Sequence, residues 1–221
     1  MNRRLQALAL LAAILVPVAL YLPTLRFGFL FDDRPLLIDN PIVASPRGVG
    51  EILTTDLDAN ARNSEAPATN YLRPLFIAGA AGLHRLFGDT PLGWHATAIA
   101  LHGLLAGLAF LLLRREGMGV ATALAATLLF ALHPAHVQST AWVSGLQDLL
   151  FGVTSLAVFL FYEASLRRPR AAVAPLLALA GSFAVALLAK EPAIGLILFA
   201  GAEAFGWIPT APRAGVDRRP R

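Results

Sequence analysis

The chain has 221 residues, 57% of them hydrophobic and 14% charged, a balance that excludes an ordinary soluble domain and points to a polytopic membrane protein. There is no cysteine, so disulfides and thiolate metal sites are excluded. The net charge of +4 sits in short arginine clusters between apolar stretches, which is topology information and not a nucleic-acid footprint.

The first apolar span covers about Leu5 to Leu25, behind Arg3 and Arg4. No small-residue cleavage site follows it, so it reads as a retained anchor. The segment 26–91 then carries eight acidic and six basic residues and reads as a long outer loop. Within it, Gly48–Leu57 is expected to form a short surface helix, and Asn60–Thr69, rich in Asn, Ala, Ser and Pro, a coil. Tyr71–Phe87 is apolar but short, carries His84 and Arg85, and has Pro74 where a helix would start. It reads as a helix lying on the outer surface, because a crossing there would move Arg114, Arg115, Arg167, Arg168, Arg170 and the arginines of the tail to the outside.

Five further spans follow, about Leu92–Leu113, Gly117–His133, Leu149–Leu166, Ala171–Ala189 and Pro192–Ile208. The expected fold is all-α: a membrane bundle of about six transmembrane helices with surface helices in the first outer loop. Residues 1–208 form the membrane domain, and residues 209–221 a polar cytoplasmic tail. The arginine and alanine richness suggests a bacterial inner membrane, with the active face outside.

The alternation places most remaining ionisable groups at one face, and charges near hydrocarbon usually mark a site. Asp32-Asp33 follows the first span and supplies a possible general base, although Asp-Asp-Arg-Pro is also good turn chemistry. His95 and His102 share a helix face, about 10 Å apart along the axis. Function and burial against a backbone carbonyl are equally open for them. His133 and His136 flank Pro134, which should end the third span at His133 and begin a new helix. No third metal ligand lies close to them in sequence, so no metal site is expected. Lys190, the only lysine, stands with Glu191 and Pro192 at a helix break. It reads either as a phosphate ligand or as half of an outer-loop ion pair. Arg73 is a second phosphate candidate.

Taken in order, Phe31-Asp32-Asp33 with Asn40-Pro41, Tyr71-Leu72-Arg73-Pro74-Leu75, Trp94-His95 with His102, Phe130-Ala131-Leu132-His133-Pro134-Ala135-His136, Ala141-Trp142-Val143-Ser144-Gly145, Asp148-Leu149-Leu150 and Ala189-Lys190-Glu191 form a recognisable series. It resembles the membrane portion of the transmembrane O-mannosyltransferase-like proteins, glycosyltransferases of the GT-C fold that often continue into tetratricopeptide repeats. The resemblance covers about residues 20 to 200. It implies a polyprenyl-phosphate-linked sugar donor with mannose as the candidate sugar, an outer-face active site, and an Asp of the first outer loop as catalytic base. Asp33 and Asp32 are then the catalytic pair, with Asp33 slightly favoured. Lys190, Arg73, His133 and His136 would bind the donor phosphate, with His95, His102, Asp148 and Glu191 in support. No cofactor beyond the lipid-linked donor is implied. The expected partners are the bilayer, a protein or glycan acceptor and a downstream chain carrying further helices; nucleic acid is not among them. Three positions depart from the family pattern: Ala98 replaces a frequent Asn, Gln138 a frequent Glu and Leu146 a frequent Arg. A non-catalytic lipid-phosphate-binding or scaffold protein of the same fold is the alternative.

Overall fold

The computed structural model describes residues 3–57, 72–166 and 173–204, and all regular structure among them is helical. The expected coil at 60–69, the start of the surface helix at Tyr71 and the tail at 209–221 lie outside the described residues. Ten α-helices appear among those residues: α1 (Arg3–Tyr21), α2 (Pro41–Ala44), α3 (Val49–Thr54), α4 (Pro74–Phe87), α5 (Pro91–Arg115), α6 (Val120–Ala131), α7 (His136–Ala141), α8 (Leu146–Leu166), α9 (Val173–Ala189) and α10 (Ile194–Ala204).

Among the described residues each of the six apolar spans is largely helical. Three segments, Arg3–Arg26, Pro91–Arg115 and Val143–Ala164, are long and apolar enough to cross a membrane, and Val120–Ala131 and Leu177–Ala189 are shorter apolar helices. Helix α6 is shorter than the expected Gly117–His133 because Gly119 caps its start and the residue before Pro134 cannot stay helical. Its 12 residues rise about 18 Å, well short of a hydrocarbon core of about 30 Å. The helix expected at Pro134 begins at His136, and a 3-10 turn over Val143–Gly145 leads into α8.

Small residues bring the helices together. A Cβ on Gly103 would lie 2.7 Å from the Val18 side chain, and one on Gly107 would lie 2.9 Å from Ile14, so α1 rides directly on the α5 backbone. Ala9, Ala13, Phe110 and Ala123 close the α1–α5–α6 contact, and Val158, Ala186 and Ala193 join α8 to α9 and to the chain leading into α10.

The first loop is a folded cap, more ordered than two isolated surface helices. A π-helical turn at Arg34–Ile38 buries Leu36, Leu37 and Ile38, and α2 buries Ile42 and Val43. These pack with Phe76 and Ile77 of α4, Trp94 of α5, and Leu146 and Leu149 of α8. Each fully buried Leu or Ile contributes roughly 1.5–3 kcal/mol of apolar transfer. Buried Asn40 locks the cap. Its Oδ1 accepts from the Ile42 amide at 3.2 Å, while its Nδ2 donates to the Leu36 and Leu57 carbonyls, each at 3.0 Å. The cap seats the Asp32-Asp33 turn against the start of α8.

Candidate functional site

The two adjacent aspartates have opposite environments. Asp33 is fully buried. Its Oδ1 accepts from the Ser144 amide at 2.8 Å and the Ser144 hydroxyl at 2.7 Å, and its Oδ2 accepts from the Leu30 amide at 2.9 Å. It is a staple between the first outer segment and the 3-10 turn before α8. Asp32 is exposed and lines a cavity of about 710 Å³ with Phe27, Leu30, Phe31, Val137, Gln138, Ala141 and Trp142. A carboxylate acting as general base must reach a substrate proton. Asp32 is exposed and lines a cavity that a substrate can enter, whereas Asp33 is fully buried with both oxygens hydrogen-bonded.

The cations meet across long sequence separations. Arg73, at the N-cap of α4, is nearly buried. Its Nε and Nη2 donate to the two carboxylate oxygens of Glu191 at 3.2 and 3.3 Å, and its Nη1 donates to Gln147. Lys190 donates to Asp148. Ser144, in the 3-10 turn, and Gln147 and Asp148, at the start of α8, lie within about one helical turn of chain. One turn of chain thus gathers the Asp33 staple, the Arg73–Glu191 fork and the Lys190–Asp148 pair. Both cations are already neutralised by carboxylates, so an incoming phosphate would have to exchange with them.

The histidines divide by role. His95 is fully buried, with Nε2 3.4 Å from the Gly28 carbonyl, and steadies the segment that leads to Asp32. His102 is also buried. Its Nε2 lies 2.9 Å from the Ala131 carbonyl, and its ring packs edge-on against Tyr21 at 5.1 Å. His102 therefore ties the end of α6 to α5. His136 lies between the His102 ring, at 5.2 Å, and the Phe130 ring, at 4.6 Å. Burial first, and then the neighbouring His133, hold its pKa below the ordinary imidazole value of 6.5. His136 is thus largely uncharged at neutral pH and is better suited to hydrogen bonding than to neutralising phosphate. His133 is exposed, with Nδ1 accepting from the Ala135 amide at 3.2 Å, and no described contact joins it to Arg73 or Lys190. Among the described residues no three of His, Cys, Asp or Glu come together as a metal site.

A second cavity, about 590 Å³, runs between α5, α6 and α8. His136, Ser139 and Asp148 stand at one end, and Leu105, Ala109, Leu112, Leu113, Leu149 and Leu156 line its apolar body. Helix α7 is the partition. Val137, Gln138 and Ala141 face the Asp32 cavity, and His136 and Ser139 face the apolar groove.

Comparison with known proteins adds the lineage. The protein O-mannosyl-transferase Tmtc1 of Drosophila melanogaster is 34% identical over 82% of this chain and 21% of its own length. TMTC3 of Mus musculus is 28% identical over 82% of this chain and 20% of its own length, and mouse TMTC4 is 32% identical over 61% and 20%. The chain is similar to the Tmtc-type protein O-mannosyl-transferases over about 80% of its own length. It spans about a fifth of the length of these curated relatives. No family model and no solved structure matches it.

Two positions that hold the candidate residues in place were left unassigned by reading the sequence. Ser144 receives Asp33, and Gln147 receives Arg73. Ser144 was visible only as part of the Trp142-Val143-Ser144-Gly145 motif. The useful signal is Gly145, where a Cβ would lie 2.5 Å from the Gln138 carbonyl oxygen and 2.8 Å from Ser139 Cα. Only glycine permits that approach of α7 to the 3-10 turn, and the approach sets Ser144 opposite Asp33.

Proposed function

We propose that this chain is the membrane portion of a glycosyltransferase. It would carry a sugar, mannose by analogy with the Tmtc-type relatives, from a polyprenyl-phosphate carrier to an acceptor hydroxyl at the outer interface. The observation that supports this reading is that Asp33, next to the exposed Asp32, and the cations Arg73 and Lys190 all bond to side chains within residues 144–148, where Asp148 also lines the apolar groove. Asp32 takes the proton of the acceptor hydroxyl. The oxygen forms a bond to the anomeric carbon, and the bond from that carbon to the phosphate oxygen breaks. Its electron pair leaves on the polyprenyl phosphate. Arg73 and Lys190 take up the phosphate charge as Glu191 and Asp148 release them. The isoprenoid chain lies in the groove between α5, α6 and α8. The proton passes from Asp32 to bulk water.

The reading includes a domain layout of a membrane domain over 1–208, an outer segment over 26–91 and a cytoplasmic tail over 209–221. The acceptor is a protein, as the relatives' names say of theirs. The bilayer and a downstream chain with further helices complete the partners. No cofactor other than the lipid-linked sugar is required. Placement in a bacterial inner membrane rests on the arginine and alanine bias alone, and the animal relatives lend it no support.

A second reading, a non-catalytic lipid-phosphate-binding or scaffold protein, draws on the carboxylate pairing of both cations. Purified protein incubated with radiolabelled polyprenyl-phosphate mannose and acceptor peptides separates the two. Label in the peptide that disappears in Asp32→Asn supports the enzyme. Retention of the labelled lipid without any transfer supports the second reading.

A further inference from the structure

We propose that the Asp32 cavity is an acceptor site selecting a serine or threonine flanked by apolar side chains, with Phe31 and Trp142 as its specificity-determining walls. This rests on the assignment of Asp32 as base, and it adds what the acceptor must look like. Of the eight lining residues, six are apolar or aromatic: Phe27, Leu30, Phe31, Val137, Ala141 and Trp142. The polar side chains among them are Asp32 and Gln138. A glycan acceptor brings hydroxyls on every side and would leave most of them facing apolar walls without partners. A peptide brings one reactive hydroxyl for Asp32, a backbone carbonyl for an N–H donor, and apolar neighbours for the walls.

Two features set this cavity apart from incidental surface. Phe31 has φ +48°, a left-handed backbone that a bulky L residue adopts only against strain, and it is 90% exposed. Strain and exposure both work against stability, which indicates that the ring is displayed for contact. It meets Trp142 edge-on, with ring centroids 6.3 Å apart. In addition, the Trp142 Nε1 is shielded from solvent and has no hydrogen-bond partner. A shielded donor beside a cavity calls for an acceptor atom from a ligand. Gln138 stands on α7 in the same wall, where it can complete the pairing of a peptide amide.

The test uses the full chain in lipid nanodiscs and fluorescent peptides carrying a single threonine between valines or between aspartates, with methyl mannoside as competitor. Anisotropy should show the valine-flanked peptide bound at least tenfold more tightly than the aspartate-flanked one, with no competition by the sugar. Phe31→Ala and Trp142→Ala should each weaken the valine-flanked peptide at least tenfold. Trp142→Phe, which keeps the wall and removes the N–H, should weaken it by a smaller factor. Asp32→Asn should still bind it while losing transfer. Equal binding of both peptides, competition by the sugar, no binding at all, or a Phe31→Ala effect confined to lipid association would overturn the proposal. Selective peptide binding without transfer from any polyprenyl-phosphate sugar would instead remove the enzymatic reading and leave the binding site standing.

Discussion

Asparagine at position 33 would set an amide among three hydrogen-bond donors. One side-chain atom could still accept from Ser144, but the other would then oppose the Leu30 amide, donor against donor. Asp33→Asn is therefore expected to lower stability by about 1–3 kcal/mol, read as a drop in the thermal unfolding midpoint in detergent. Asp32→Asn, at an exposed position, should lower that midpoint less than Asp33→Asn does and reduce transfer by about 10²–10⁴. The opposite pattern would return the base to Asp33. His136 makes the pH prediction at this scale. Its folded pKa lies below the unfolded value of 6.5, so the unfolded chain takes up the proton first. Its contribution to stability is fully present above about pH 6.5 and is lost as pH falls through that value toward the lower folded pKa. The unfolding midpoint should decline from pH 7 to pH 5, and His136→Gln should flatten the decline. An identical slope in the variant would assign the effect to other groups.

Helix contacts depend on where side chains are missing. Helices α1 and α5 approach through Gly103 and Gly107, so a larger side chain there pushes α1 away along its length. Gly103→Leu should destabilise by about 1–3 kcal/mol through overpacking. Gly82→Ala, whose added Cβ meets nothing within 4 Å, should be tolerated. Unfolding midpoints of the two variants side by side check this, and equal midpoints would contradict the packing. Short helices followed the same logic. Helix α7 was legible at its start from His133-Pro134, since proline restricts the residue before it. Its end was not, because the stop at Trp142 and the 3-10 turn that follows depend on Gly145 touching the α7 backbone. The cap over Arg34–Ala44 was read only as loop. Its apolar residues come in runs too short to show a period, and their burial depends on α4, α5 and α8.

Across the whole molecule, the arginine distribution predicts both termini in the cytoplasm and the 26–91 segment outside. The chain contains no cysteine, so single cysteines report cleanly. A cysteine replacing Asn60 should react with an impermeant maleimide from outside intact cells, and one replacing Met118 only after permeabilisation. Reversal of either result would sink this topology and separate the cation pairs from the face where the donor phosphate is proposed to bind.

The apolar spans and the helix at α4 were readable from the chain alone. Hydrocarbon thickness constrains run length locally, and arginine counts report sidedness without any contact being known. The partners were not readable. Arg73 meets Glu191 across 118 positions, and Lys190 meets Asp148 across 42. The same limit separates Asp32 from Asp33. Neighbouring residues of like chemistry cannot be distinguished by composition or spacing. A single turn of backbone sends one carboxylate into a socket built by Ser144 and leaves the other facing an aromatic cavity. That arrangement exists only once α8, the cap and α7 have packed together, because two of the three donors to Asp33 come from Ser144, 111 residues away.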